Sequence, residues 1–417
     1  MYEIVTGKPI VQKYGGTSVG SVDRIKSIAK RIKKQIAAGH DRIAVVVSAM
    51  SGETNRLVGL IEEINGKASR RNYDMAVAAG EQVSVALMAA ALEGEGLSAE
   101  GFLAHQIGIY TDGFHSQARI QSIDCGVLHD AWGRKVVPII AGFQGVSADG
   151  NITTLGRGGS DTSAVALAVA LEAGFCEINT DVDGVFTADP RIVPNARLNL
   201  DMDFELALEM ASLGSKVLHA RCVELAAKYQ MPVVVRNTFK EDSHSRTKIM
   251  SFTDSQRLEA PVVSGVTVAK NVVRIAIEGL PETSASVASV FESIAKSGVN
   301  VDIIVHNKSE ERQTIRLGFT IGSGELDKTL NIIEDWRREE GLSSIKVEHE
   351  DNLAKVSVVG LGMQSHPGVA SRCFALLAEK NIPITMISTS EIKISCVIPM
   401  DLSDSACQCL HEGFLEG

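Results

Sequence analysis

Lys13 stands between an apolar run and two glycines in "VQKYGGTSVG" (11–20). A cation beside a glycine pair suits phosphate. Glycines let backbone N–H groups approach an anion, and a helical pattern behind the loop offers its positive end. The segment is neither G-x-x-x-x-G-K-[ST] nor G-x-G-x-x-G, so the common phosphate-loop and dinucleotide readings do not apply. A tight strand-to-helix turn with an incidental lysine is the alternative. A second glycine loop, "TTLGRGGSDTSAVALAVAL" (153–171), places Gly156, Gly158 and Gly159 around Arg157, then Ser160 and Asp161 at the start of an apolar helix. Arg157 can grip a carboxylate with two parallel bonds, and Ser160 can donate to the same group. Asp161 is either a helix cap or a group that orients a lysine or a bound metal beside a phosphate.

Four further segments carry polar groups in places where chemistry is feasible. "NTDVDGVFTADPR" (179–191) follows an apolar strand and holds three aspartates with a glycine turn. It lacks the acidic spacing and late glutamate of a calcium loop, but strand ends of open α/β sheets are where ligands bind. "GSKVLH" (214–219) adds Lys216, and "SAMSGETN" (48–55) adds small hydroxyl residues including Thr54. Glu81 opens the apolar helix "AAGEQVSVALMAAAL" (78–92), where it either caps the helix or receives a substrate ammonium group.

These residues need a scaffold, and the first 240 residues supply one. "PIVQKY", "RIAVVVSAM", "VVPIIAGF", "FCEINTD" and "MPVVVRN" are near-continuous apolar runs of the kind that parallel strands show when both faces are covered. Helical stretches separate them. In "VDRIKSIAKRIKKQIAAG", Val22, Ile25, Ala29, Ile32 and Ile36 recur at helical spacing, with Ser21 as N-cap and Gly39 as stop. The alternation implies an α/β sandwich with a mainly parallel sheet. A polar stretch (240–261) reads as a linker. Beyond it "FESIAKSGVNVDII" and "FALLAEKNIPITMI" form an internal repeat, offset by 83 residues between Phe291 and Phe374. Each copy lies between strand-like runs, so the tail reads as two β-α-β-β units that pair through their sheet faces.

At 417 residues the chain has material for two or three domains, and 45% hydrophobic with 22% charged residues describes a globular protein. The net charge of −10 argues against general affinity for nucleic acid or anionic membrane. The basic run "RIKSIAKRIKK" reads as a solvated helix face. No run of about 18 consecutive apolar residues occurs, so no membrane span is expected, and no secretory signal is read at the N-terminus. Seven scattered cysteines without C-x-x-C suit a reducing cytoplasm and disfavour metal ligation by thiolate.

Together, "KYGGTSV", "VVVSAMSGETN", "AAGEQ", "AGFQG", "TTLGRGGSDT", "TDVDGVFTADPR" and "GSKVLH" resemble, in this order, the aspartate kinases of the amino-acid kinase family. "VVGLGMQSHPGV" and "ISTSEIKIS" resemble a second ACT domain of the same enzymes. The resemblance implies a three-layer αβα amino-acid kinase sandwich (1–245), a linker (246–260) and two ferredoxin-like βαββαβ ACT domains (261–345 and 346–417). It implies transfer of the ATP γ-phosphoryl group to the β-carboxylate of L-aspartate, with Mg²⁺ accompanying ATP and no metal ligand assigned. Carried over by position, Lys13, Asp161 and Lys216 would be catalytic. Thr54, Glu81, Phe143, Arg157 and Ser160 would bind aspartate. Lys13, Gly15, Gly16, Thr180, Asp181, Phe186, Arg191 and Lys216 would surround ATP. Asn300, Asp302, His306, Ile384, Thr389 and Ser390 match positions that contact an end-product effector at the interface of ACT units, through which a homo-oligomer would form. Pro383 stands where some threonine-sensitive relatives carry asparagine. It has no backbone N–H, which favours lysine over threonine as effector. A kinase of another small carboxylic amino acid, and a non-catalytic amino-acid sensor on the same fold, are the competing readings.

Overall fold

The computed structural model describes residues 7–213, 217–240, 245–252, 262–309, 314–342, 344–361, 363, 366 and 368–416. The chain divides into two compact units. The first comprises residues up to Thr187 together with Arg197–Ala260, and the second Ala188–Ala196 with Pro261–Gly417.

In the first unit, β1 (Ile10–Tyr14), α1 (Val22–Ala37), β2 (Ile43–Val47), α2 (Glu53–Asn65), α3 (Arg70–Val77) and α4 (Ala79–Gly94) come first. They are followed by β3 (Ala99–Phe102), β4 (Ile109–Thr111), β5 (Ile120–Ile123), α5 (Gly126–Gly133), β6 (Val137–Ala141), β7 (Gln144–Ser147), β8 (Ile152–Thr154) and α6 (Gly159–Ala170). β9 (Phe175–Thr180), β10 (Asp201–Met202), α7 (Phe204–Ser212), α8 (Ala220–Tyr229), β11 (Val233–Asn237) and β12 (Arg246–Ile249) complete it. The main sheet runs β10-β12-β11-β9-β1-β2-β6-β3. Its pairs are parallel except β11 with β12. Every residue of β2 and β6 is buried, as expected of strands covered on both faces. On one face α1 and α4 pack Ile25, Ile28, Ile32, Met88 and Leu92 against Tyr14, Val45, Val47 and Ile139. Each such isoleucine contributes about 2 kcal/mol by leaving water. α6 covers the sheet with an almost wholly buried run of alanine, valine and leucine. Ser21 caps α1 as the sequence implies, its side chain accepting from Arg24 N–H.

α3 and α4 run nearly end to end. Residues 70–94 form one helical stretch long and apolar enough, by length and composition, to cross a membrane. It is not a continuous apolar run in the sequence, because Asp74 and Glu81 interrupt it. Both carboxylates are buried, beside core positions Val77, Val85, Met88 and Leu92.

The expected linker (246–260) does not begin where the sequence places it. Residues 246–249 are strand β12, hydrogen-bonded to β11 and β10 in the main sheet. Polarity misleads there because Arg246 and Lys248 occupy the half-buried positions of an alternating strand. Residues 253–260 lie outside the described part of the chain.

The second unit holds β13 (Gly265–Pro281), α9 (Ser284–Lys296), β14 (Ile304–Ser309), β15 (Thr314–Gly322), α10 (Leu326–Glu339) and β16 (Lys346–Val359). It continues with α11 (Gly368–Glu379), β17 (Met386–Thr389), β18 (Lys393–Pro399) and α12 (Ser403–His411). One six-stranded sheet, β14-β15-β13-β16-β18-β17, serves both repeats. The far half of β13, with α9, β14, β15, α10 and the near half of β16, forms a β-α-β-β-α-β arrangement around Ile275, Phe319, Ile333 and Trp336. The far half of β16, with α11, β17, β18 and α12, forms the second arrangement, and its outer strand is the near half of β13, which brings Val266 into that core. The expected boundary between residues 345 and 346 is therefore corrected. Each long strand belongs to both halves, and β13 is shared between them.

Candidate active site

The first unit contains a cavity of about 350 Å³ lined by the ends of β1 and β2, the starts of α2 and α6, and α4. Lys13, Gly16, Thr54, Glu81, Phe143, Arg157, Ser160 and Asp161 all line it, so five segments separated by up to 148 residues meet in one space.

Lys13 points from β1 toward α6, while its neighbours Gln12 and Tyr14 turn to the α1 face, where Tyr14 joins the core. Its ammonium stands 2.5 Å from Asp161 Oδ1, and both side chains are nearly buried. Gly16 has to be glycine. A Cβ there would lie 2.8 Å from Ala49 O. The loop differs from its expected use in one respect, because Gly15 N–H donates to Asn179 O at 3.2 Å and is not open to a ligand. The start of α1 is likewise closed by its Ser21 cap. Two other helix starts take that part. α2 and α6 begin after Gly52 and Gly158, both in the left-handed region, and neither has a side-chain cap. Both starts line the cavity. Unfilled N–H groups and the positive end of two helices favour anions there.

Phe143 is held at φ 68°, an unusual conformation for a non-glycine residue that costs about 1 kcal/mol. Its N–H donates to Ser163 Oγ and its carbonyl accepts from Leu155 N–H. Gly159 packs so closely that a Cβ would stand 2.8 Å from the Phe143 ring. The glycine loop is thereby locked to the β6–β7 connection. Arg157 is exposed at the tip of this loop, and among the described residues it has no ion-pair partner.

Glu81 is 3% exposed. Oε1 accepts from Ala49 N–H at 3.0 Å, whereas among the described residues the buried Oε2 has no hydrogen-bond partner. Burial outweighs the Ala49 bond and pushes the carboxyl up to about 7. When ionised, a buried carboxylate with a vacant oxygen in a cavity can receive a cation.

The nucleotide-side residues are arranged differently. Thr180 and Asp181 follow Asn179 at the end of β9, and Thr180 Oγ1 donates to Asp181 Oδ1 at 3.2 Å. Neither lines the cavity. Phe186 is half-buried and forms an isolated antiparallel bridge with Leu198. Arg191 falls in the 188–196 segment of the second unit and pairs with Asp189 at 2.6 Å, so the described cavity does not include it. Lys216 lies outside the described residues. Among those described, no three His, Cys, Asp or Glu side chains converge as a metal cage.

In the second unit, Asn300 and Asp302 precede the edge strand β14 and His306 lies in it, while Ile384 precedes the opposite edge strand β17, Thr389 ends it and Ser390 follows it. Ile303, Met386, Leu353 and Val397 share one small core. Asp302 is paired with Lys355, an almost fully buried lysine of β16.

Sequence reasoning missed Asp74, which accepts five hydrogen bonds behind the glycine loop. Its signal was available, since Asp74 precedes Glu81 by two helical turns and shares its buried face.

A mainly parallel sheet, glycine-capped helix starts and a lysine–aspartate pair define an anion-handling α/β kinase site. Residues 8–237 match the model of the amino acid kinase family, and residues 356–414 match the ACT domain. An aspartate kinase of Pseudomonas putida is 44% identical over 405 residues, covering 97% of each chain. The crystal structure of aspartate kinase from Synechocystis superposes with a TM-score of 0.78 at 28% identity, covering 97% of this chain and 98% of that one. That of E. coli aspartokinase III in complex with lysine and aspartate gives 0.72 at 25% identity, covering 98% and 99%. The chain belongs to the aspartate kinases of the amino acid kinase family, and it carries an ACT regulatory domain.

Proposed function

We propose that the enzyme phosphorylates the β-carboxylate of L-aspartate with ATP, giving 4-phospho-L-aspartate, the first step toward lysine, threonine and methionine. The observation that carries this reading is the cavity that sets the vacant Glu81 oxygen and the unpartnered Arg157 on the same space as the Lys13–Asp161 pair. Glu81 takes the substrate ammonium, Arg157 and Ser160 take the α-carboxylate, and Thr54 and Phe143 close the pocket. The β-carboxylate then faces Lys13.

A carboxylate with a reference pKa of about 3.9 is already a nucleophile, so no general base is required. The barrier is the approach of two anions, which Lys13, Lys216 and the open helix starts lower by fixed charge. Asp161 keeps the Lys13 ammonium in place. Gly15, Gly16, Thr180, Asp181, Phe186 and Arg191 are assigned to the nucleotide. Mg²⁺ fits as an ion carried on ATP phosphates, because it keeps its waters and needs only one or two carboxylates. It supplies charge neutralisation on the phosphates.

End-product control through the ACT units, by lysine with threonine as second candidate, rests on Asn300, Asp302, His306, Ile384, Thr389 and Ser390. Homo-oligomer formation through the same units and a cytoplasmic location complete the reading. Hydroxamate trapping of the acyl phosphate tests it. Aspartate gives signal and glutamate does not, and millimolar lysine lowers the rate. Equal signal with glutamate transfers the reading to a broader carboxylate kinase, and no signal with either supports a non-catalytic sensor.

A further inference from the structure

We propose that Asp74 is a positioning residue for aspartate binding, acting through the glycine loop that carries Arg157. The inference rests on the reading of Arg157 given above. Asp74 is fully buried on α3. Its Oδ2 accepts from Ser116 N–H (2.9 Å) and Thr154 N–H (3.1 Å) and pairs with His115 Nδ1 (2.8 Å). Its Oδ1 accepts from Thr154 Oγ1 (2.7 Å) and Ser116 Oγ (3.0 Å). A single carboxylate thus ties a helix to a loop and to the last residue of β8, two positions before Gly156.

The loop that Asp74 holds is the seat of the glycine loop. Ser116 is kept at φ 68°, a left-handed conformation that its two bonds to Asp74 stabilise. Its carbonyl lies under Gly156, where an added Cβ would approach to 2.9 Å. Ala118 N–H donates to Thr154 O at 3.0 Å. Arg221 on α8 donates to Leu155 O and to Ala118 O, each at 2.7 Å. Residues 115–118 and 154–156 are therefore one braced assembly, anchored to α3 by Asp74. Among the described residues Arg157 has no side-chain partner, so the backbone of this assembly sets its position.

The same helical stretch carries Glu81 two turns further on. One rigid segment fixes both ends of the amino-acid pocket: the ammonium receptor directly, and the carboxylate grip through Asp74. Misplacing Arg157 weakens aspartate without touching the phosphate machinery of Lys13 and Asp161.

Steady-state kinetics on the full-length enzyme test this. Asp74→Ala is expected to raise the KM for aspartate by about 10-fold while kcat and the KM for ATP move less than about 3-fold. Asp74→Asn is expected to recover most of the affinity, because the Ser116 and Thr154 hydroxyls can turn to accept from the new amide. Where Asp74→Ala does not fold, Thr154→Val removes one of the five bonds and is expected to raise the aspartate KM several-fold. An unchanged aspartate KM in the folded variant overturns the proposal. So does a joint fall of kcat, both affinities and Tm, the mark of a merely structural group. Arg157→Ala separates the two levels. If it leaves aspartate KM unchanged, the reading of Arg157 fails. If it raises KM and Asp74→Ala does not, only the role of Asp74 fails.

Discussion

Lys13 Nζ and Asp161 Oδ1 stand 2.5 Å apart at the end of β1 and the start of α6, both nearly shielded from water. Each would be a costly buried charge alone, and removing one partner of such a pair leaves about 3–5 kcal/mol of uncompensated burial. The pair faces the cavity, so the lysine is held in place before any phosphate arrives. Lys13→Ala is expected to lower kcat by about 10²–10³-fold with little change in aspartate KM, as for loss of a group that acts on transition-state charge. Rapid-quench or coupled assays decide it. An unchanged kcat with a raised KM would remove Lys13 from the chemistry.

Glu81 makes the enzyme pH-dependent in a definite direction. Burial raises its carboxyl to about 7, above the ordinary 4.5. The ionised form is the one that receives an ammonium group, so aspartate KM should fall as pH rises through about 7. Stability moves the other way. Between these two values the folded state binds the proton and the unfolded state does not, so stability declines as pH rises from about 4.5 to 7. Glu81→Gln keeps the Ala49 bond and removes the charge. At pH 8 it is expected to melt several degrees higher than the parent while binding aspartate at least 10-fold more weakly. A variant that melts lower would contradict the assigned burial cost.

Gly158→Ala tests the packing of the glycine loop. The new Cβ would lie 2.3 Å from His219 Cβ, at a backbone φ of +70° that side chains resist. Strain from both sources should cost about 2 kcal/mol or more. The cost should appear as a lower Tm together with weaker aspartate binding, since the start of α6 shifts. Isothermal titration with aspartate and thermal melts report the two effects.

Lys355 offers an internal ammonium to Asp302, one of the positions proposed to contact the effector and a carboxylate that could take an effector's ammonium. A protein whose binding-competent state is only partly populated shows reduced affinity by that fraction. Lys355→Met releases Asp302 and should lower the concentration of lysine needed for half-inhibition by several-fold. An identical inhibition curve would take Asp302 out of effector recognition.

Much of this was legible along the chain because the relevant signals are local. Apolar runs such as Ile43–Val47 announce strands buried on both faces, and Ser21 announces a helix start. Glu81 stands out because a carboxylate in an apolar helix needs a partner, and Arg157 because glycines surround it at the start of another. Strand β12 was hidden by its polarity, since Arg246 and Lys248 occupy the half-buried positions of an alternating strand. The sharing of β13 between two cores was hidden for another reason. Its near and far halves have the same alternation, and only pairing with β16 assigns each half to a core.

By itself the sequence determined the alternation of strands and helices, the doubled tail, and the residue types available for phosphate and amino-acid binding. Those follow from periodicity and from the chemistry of single side chains. The tertiary structure decided which helix starts are open to anions, closing α1 with Ser21 and leaving α2 and α6 uncapped around the cavity. It also decided that Asp74 works behind Arg157, because hydrogen bonds linking positions 74, 116 and 154 exist only once the chain has folded back on itself.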